Sequence, residues 1–169
     1  MGDDVNDQHH TFRFQDAGVL IVDENAGFMD LTTQILMGFG FRKFERRASL
    51  SDAETPRTRF DPDLIIVDPF PDIEAGLRII DELRRRQAAS ALPSVVIVLT
   101  GHTPRPLIDK ARRAGADYIV AKPFSANVLL DRILWSASTV FSSAPSTAVA
   151  GDERTYRASI DGATAALLQ

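Results

Sequence analysis

Side chains that could carry out chemistry stand at the ends of four apolar runs of the sequence. These runs end in Asp23-Glu24, Asp68, Thr100-Gly101 and Lys122-Pro123. Each run is short and rich in β-branched residues, which is typical of a fully buried strand in a parallel sheet. Open α/β sheets bind ligands beyond the carboxyl ends of their strands. We therefore expect three acids, a hydroxyl and an ammonium to gather on one rim.

Such a rim could bind a hard divalent cation and a phosphoryl group. Crowded carboxylates repel one another, so a cluster of three acids needs a cation among them. Mg²⁺ suits the cluster because it binds through one or two carboxylates and meets phosphate oxygens at its other positions. Asp68 would then be the nucleophile that forms an aspartyl phosphate, with Thr100 and Lys122 on two phosphoryl oxygens.

Each of these residues also has a purely structural interpretation when it is taken alone. An aspartate after a strand can simply cap a helix, and Asp23-Glu24 is an ordinary pair in an acidic chain. Thr100-Gly101 fits a turn, and Lys122-Pro123 fits a loop. Their recurrence at four predicted strand ends favours the chemical interpretation.

Strand and helix patterns alternate along the chain. The strands are predicted at 19–22, 41–47, 64–67, 95–99 and 118–121, with 41–47 as an edge strand. The helices are predicted at 25–37, at 49–59 with an interruption at Pro56, at 76–87, from 103–106 onward, and after an N-cap at Ser125. This alternation predicts a doubly wound parallel sheet with helices on both faces.

Composition limits the class of protein. The chain has 169 residues, of which 44% are hydrophobic and 25% charged, as in an ordinary soluble domain. The net charge of −4 and the pI of about 5.3 are unfavourable for a chain whose main partner is nucleic acid. There is no cysteine, no signal-peptide pattern and no apolar run near the roughly 20 residues of a membrane span. We expect a cytoplasmic location.

The whole pattern resembles the receiver domain of two-component response regulators. The resemblance rests on Val22-Asp23-Glu24, Asp68, Thr100-Gly101 and the stretch 115–124, and it extends over roughly residues 16–138. It implies a flavodoxin-like fold with five parallel strands in the order 2-1-3-4-5 and helices on both faces. The expected parts are an N-terminal arm (1–16), a receiver domain (17–138) and a C-terminal tail (139–169), which is flexible or a short helix.

The resemblance implies a role for each residue on the rim. Asp68 would accept a phosphoryl group from a phosphohistidine on a sensor histidine kinase or a histidine phosphotransfer protein. Asp23, Glu24, Asp68 and the backbone carbonyl of Phe70 would hold Mg²⁺. The transfer and the later autodephosphorylation would be self-catalysed, with no turnover of small substrates.

Thr100 and Lys122 would bind the phosphoryl group, and the resemblance implies a cis bond between Lys122 and Pro123. The position of the family's aromatic switch residue aligns with Ile119, and Tyr118 lies one residue earlier. Which aromatic residue, if any, acts as the switch therefore stays open. Two further departures lie near the site: Glu24 stands where many relatives carry Asp, and a proline directly follows the acceptor aspartate.

About 30 residues follow the last predicted helix, which is too few for a DNA-binding or enzyme domain. We therefore expect a stand-alone, CheY-like receiver whose output is phosphorylation-dependent contact with a downstream protein, without direct contact to nucleic acid or membrane. The face built from the fourth helix, the fifth strand and the fifth helix is the expected partner or homodimer surface. Trp135 and Leu130 are its candidate residues, and packing of Trp135 in the core is the alternative.

Two other classes of function remain open from the sequence. One is a degenerate receiver that acts as a phosphorylation-independent interaction module. Ile119 and the unusual loop favour it, whereas the intact Asp68, Thr100 and Lys122 oppose it. The other is a small Mg²⁺-dependent phosphatase or hydrolase, which would need a second acid two residues after the nucleophile, where Phe70 stands.

Overall fold

The computed structural model describes residues 14–49, 61–87 and 93–142. In these segments the apolar runs form one parallel sheet of five strands: β1 (Gly18–Val22), β2 (Lys43–Arg47), β3 (Leu64–Val67), β4 (Val95–Thr100) and β5 (Tyr118–Ala121). The strands lie in the order 2-1-3-4-5, and each neighbouring pair runs parallel. The predicted fold and strand order are confirmed.

The three central strands are buried along their whole length because helices cover both faces of the sheet, and they are apolar apart from Thr100 at the end of β4. Every residue of β1, β3 and β4 is buried. Successive residues alternate between the two cores, so Ile66 faces one core while Ile65 and Val67 face the other. The edge strand β2 instead carries Lys43, Glu45, Arg46 and Arg47, and charges on an edge discourage pairing with another chain.

Four helices belong to the described segments: α1 (Ala26–Gly38), α2 (Ile73–Gln87), α3 (Arg105–Ala114) and α4 (Ala126–Ser142). Residues of α1 and α4 pack in one core, and residues of α2 and α3 pack in the other. The helix predicted at 49–59 lies almost wholly outside the described residues, as do most of the N-terminal arm and of the C-terminal tail. The predicted fourth and fifth helices are therefore α3 and α4.

Two helix boundaries differ from the prediction. α2 begins at Ile73 rather than at 76, because Asp72 Oδ1 accepts a hydrogen bond from Ala75 N (3.0 Å) and caps the first turn. α4 begins after Ser125 as expected, but it runs to Ser142, beyond Ser136, where the apolar period of the sequence fades. Val140 explains the extension, since it is buried against the sheet.

Arg84 in α2 joins the amino ends of β4 and β5. Its guanidinium donates to Ser94 O (2.6 Å), to Gly115 O (2.9 Å) and to Asp117 Oδ2 (2.6 Å). Gly115 ends α3 with a left-handed φ of 107°, and a Cβ there would lie 2.7 Å from Arg84 Cγ. This cluster fixes the edge of the sheet opposite the predicted rim.

None of the helices in the part of the chain that the structure describes is long and apolar enough to cross a membrane.

Candidate functional site

The structure brings four of the predicted residues together at the carboxyl edge of the sheet. Asp23 and Asp68 directly follow β1 and β3, Thr100 ends β4, and Lys122 directly follows β5. Two backbone hydrogen bonds extend the sheet into this edge, from Asp68 N to Val22 O (2.9 Å) and from Lys122 N to Thr100 O (2.8 Å). Backbone hydrogen bonds of the sheet therefore anchor Asp68 and Lys122.

The ammonium of Lys122 bridges two buried carboxylates. Lys122 Nζ lies 2.6 Å from Asp23 Oδ2 and 2.9 Å from Asp68 Oδ2. The side chain of Lys122 is 5% exposed, and those of Asp23 and Asp68 are 7% and 11% exposed. Two carboxylates this close and this buried would repel each other strongly, and the shared ammonium offsets that repulsion.

The second oxygen of each carboxylate is held by the backbone. Asp23 Oδ1 accepts from Asn25 N (2.8 Å), and Asp68 Oδ1 accepts from Phe70 N (3.0 Å). Both are hydrogen bonds to the residue two positions on, which is the Asx-turn geometry that aspartate favours after a strand. Each carboxylate is thus fixed at both oxygens, and its orientation is set before any ligand arrives.

The loops after β3 and β4 also meet beside this bridge. The rings of Phe70 and His102 stack with centroids 4.0 Å apart and an interplanar angle of 7°. Thr100 is completely buried, and its Oγ1 accepts from His102 N (3.2 Å). The stack therefore links the loop that starts at Asp68 to the loop that starts at Thr100.

The donor set is compatible with Mg²⁺, although the predicted convergence of three acids is not present. Glu24 is exposed and takes no part in the bridge. Among the described residues, no three Asp, Glu or His side chains are grouped so that they could hold a metal ion. Asp23 and Asp68 supply carboxylate oxygens, and Mg²⁺ needs only one or two carboxylates from a protein.

One contact of the site was not predicted. The ring of Phe28 in α1 lies under the Lys122 ammonium, with Nζ 4.2 Å from the ring centroid. The helical spacing of Phe28 predicts only a buried helix face, because spacing does not show what lies across from a side chain. The bond between Lys122 and Pro123 is cis, as expected.

The predicted partner surface is partly corrected. Trp135 is 53% exposed, so its packing in the core is ruled out, whereas Leu130 is buried and belongs to the core. The Trp135 ring makes an edge contact with Tyr118 at 5.6 Å between centroids, and the Arg132 guanidinium lies 4.9 Å from the Tyr118 ring. Tyr118 and Ile119 are both half-buried, which does not distinguish them as switch residues.

A parallel sheet in the order 2-1-3-4-5, with acid, hydroxyl and ammonium groups on its carboxyl edge, defines the class of receiver domains. Residues 19–134 match the family model described as the response regulator receiver domain. The chain therefore belongs to the response regulator receiver family.

The chain is similar to curated response regulators and to solved structures of response regulators. The chain is 30% identical over 118 residues to the DNA-binding response regulator MtrA of Mycobacterium tuberculosis (strain ATCC 25618 / H37Rv), a match to 68% of this chain and 48% of MtrA. The chain thus spans about half the length of the curated relatives that it matches.

Among solved structures, a response regulator from Thermotoga maritima is 28% identical with a TM-score of 0.62, and the match covers 72% of this chain and 98% of that one. A CheY-like receiver domain protein from Methanospirillum hungatei JF-1 has a TM-score of 0.64 at 24% identity, over 75% of this chain and 97% of that one.

Proposed function

We propose that Asp68 accepts a phosphoryl group with the help of Mg²⁺ and that the phosphorylated chain signals by protein contact. The observation that carries this proposal is the Asp23–Lys122–Asp68 bridge, with the buried Thr100 at the end of β4, the strand between β3 and β5. The bridge orients an acceptor carboxylate and pairs it with a cation. Phosphoryl transfer depends on such positioning and on neutralising the charge of the phosphoryl oxygens.

In the proposed reaction, a carboxylate oxygen of Asp68 attacks the phosphorus atom of a phosphohistidine. The O–P bond forms as the P–N bond breaks, and the released imidazole takes up a proton. Lys122 then exchanges its bond to the Asp68 carboxylate for one to a phosphoryl oxygen, and Thr100 contacts another. Bound Mg²⁺ would neutralise the remaining phosphoryl charge.

Asp23, Asp68, the Phe70 carbonyl and Glu24 are the proposed ligands of this Mg²⁺. Glu24 is exposed and lies outside the Asp23–Lys122–Asp68 bridge. Its side chain would therefore have to adopt another rotamer to bind the metal. The donor is a sensor histidine kinase or a histidine phosphotransfer protein in the cytoplasm. Transfer and autodephosphorylation are self-catalysed, so the protein does not turn over small substrates.

The proposed output is contact with a downstream protein or a second copy through the face of α3, β5 and α4. The exposed Trp135 supports this face, because a large aromatic side chain that is half in water gains from being covered. The net charge of −4 favours a protein partner over direct contact with nucleic acid. DNA binding is part of the name of MtrA and is not carried over to this chain.

The decisive experiment is the intact mass of the protein after incubation with Mg²⁺ and phosphoramidate. We expect one phosphoryl adduct, which disappears in Asp68→Asn and on chelation of Mg²⁺. Asp81→Asn is the matched control, because Asp81 is an exposed aspartate of α2 that pairs with a neighbour on its own helix. No adduct on folded wild-type protein would refute the proposal and favour the phosphorylation-independent interaction module.

A further inference from the structure

The Lys122 ammonium has a third neighbour besides its two carboxylates. Its hydrogen bonds to Asp23 and Asp68 use two of its three N–H donors. The face of the Phe28 ring lies 4.2 Å from Nζ, well within the distance at which a cation is attracted by an aromatic ring. The side chain of Lys122 is almost completely buried, and such an attraction is strongest when the cation is desolvated.

The short segment from Asp23 to Phe28 positions both the Phe28 ring and the Asp23 carboxylate. Asn25 N donates to Asp23 Oδ1 (2.8 Å), and Asn25 Oδ1 accepts from Phe28 N (3.1 Å) as the N-cap of α1. Phe28 therefore lies in the first turn of α1, where a helical side chain is directed back toward the amino end of its helix. Because α1 follows β1 directly, its amino end lies at the carboxyl edge of the sheet, and the Phe28 ring is directed toward that edge.

The ring differs from the other two neighbours in what happens to it during the proposed reaction. Bound Mg²⁺ would draw on the oxygens of Asp23, and phosphorylation would convert the Asp68 carboxylate to an acyl phosphate. Both present hydrogen-bond partners of the ammonium would thus change. The ring of Phe28 is neutral and binds no metal, so neither step engages it chemically.

We propose that Phe28 is a positioning residue for Lys122. Its ring holds the ammonium beside Asp68 while the carboxylates are taken up by the metal and the phosphoryl group. This role rests on the proposed function, since it concerns the same phosphoryl transfer. It adds a residue that touches neither the metal nor the phosphoryl group.

The test measures the rate of adduct formation with Mg²⁺ and phosphoramidate in Phe28→Leu and Phe28→Tyr. Loss of the ring in Phe28→Leu should slow phosphorylation by roughly 3- to 30-fold, and Phe28→Tyr should restore most of the rate. Phe44→Leu is the matched control, because Phe44 is another half-buried phenylalanine that packs on the core from β2. Its rate should equal that of the wild type.

Fluorinated phenylalanines placed at position 28 separate the charge interaction from packing. Ring fluorination weakens the negative face of the ring while it changes the ring volume little. The rate should therefore fall stepwise from one to three fluorine atoms. Equal rates across the series would overturn the role, and the series stays informative if Phe28→Leu does not fold.

A spectroscopic signal checks the contact in the unphosphorylated protein. The ε-methylene protons of Lys122 should be shifted upfield by the Phe28 ring current, and the shift should vanish in Phe28→Leu and persist in Phe28→Tyr. An unshifted signal in the wild type would overturn the inference. No adduct on wild-type protein would remove the proposed function together with this role, whereas an adduct that forms equally fast in all variants would remove the role alone.

Discussion

Gly76 in α2 should not accept even one additional methyl group. A Cβ at this position would lie 2.4 Å from both Cα and Cβ of Pro69 and 3.1 Å from the Pro69 carbonyl oxygen. Carbon atoms in contact are separated by about 3.5–4.0 Å, so Gly76→Ala requires a movement of about 1 Å or more. Pro69 is buried and directly follows Asp68, so this movement would act on the loop that carries the proposed acceptor.

The expected change in the free energy of unfolding of Gly76→Ala is the sum of two opposing effects. Alanine favours a helix over glycine by up to about 1 kcal/mol, whereas overpacking a buried position costs about 1–3 kcal/mol. The clash involves backbone atoms and a rigid ring, so its cost lies toward the upper end of that range. We expect Gly76→Ala to lower the free energy of unfolding by about 1–2 kcal/mol.

Gly38→Ala is the matched control, because Gly38 ends α1 and a Cβ there would meet nothing within 4 Å. It should leave the free energy of unfolding unchanged or raise it by up to about 1 kcal/mol. Urea denaturation followed by far-ultraviolet circular dichroism measures both variants, and phosphoramidate labelling reports on the loop. The reasoning is refuted if Gly76→Ala is as stable as Gly38→Ala.

Three further predictions concern charged and aromatic side chains. Lys122→Met leaves two buried carboxylates without their cation, so the free energy of unfolding should fall by about 3 kcal/mol or more. Mg²⁺ should then raise the stability of this variant more than that of the wild type. An equal effect of Mg²⁺ on the thermal unfolding of both proteins would contradict this prediction. Arg84→Met should cost about 2–4 kcal/mol in urea denaturation without slowing phosphorylation, whereas Arg85→Met, which removes only exposed pairs within one helix, should cost less than about 0.5 kcal/mol. Similar losses in the two variants would argue against the role of Arg84 in joining β4 and β5. Trp135→Glu should preserve phosphorylation and abolish self-association or partner binding of the phosphorylated protein in sedimentation velocity, and undiminished association would exclude this face.

The central strands could be predicted from the sequence because their burial on both faces leaves a continuous apolar run. The bounds of β3 and β5 coincide with those predicted. The start of α2 was missed because Asp72 follows Pro69 and Pro71, which indicate a loop, so that the sequence does not reveal Asp72 as the cap of the helix. The end of α4 was missed because its last turns are rich in serine, threonine and alanine, while the buried Ala137 and Val140 pack these turns into the core.

The site could be predicted where a residue is defined by its place along a strand. Asp23, Asp68, Thr100 and Lys122 all stand at strand ends, and a parallel sheet brings strand ends together whatever the loops do. Phe28 could not be found in this way, because its contact depends on the rotation of α1 about its axis. The apolar pattern fixes that rotation only to within a broad helix face.

The corner between β5 and α4 also gives the protein its own optical label. Trp135 is the single tryptophan of the chain, so the fluorescence excited at the red edge of its absorption comes from one place. Its ring is half in water and 5.6 Å from that of Tyr118, close enough for efficient transfer of excitation from tyrosine to tryptophan. A rearrangement of this corner would change both the emission maximum of Trp135 and the efficiency of energy transfer from Tyr118. Stopped-flow fluorescence would follow these changes in real time on protein that carries no attached dye.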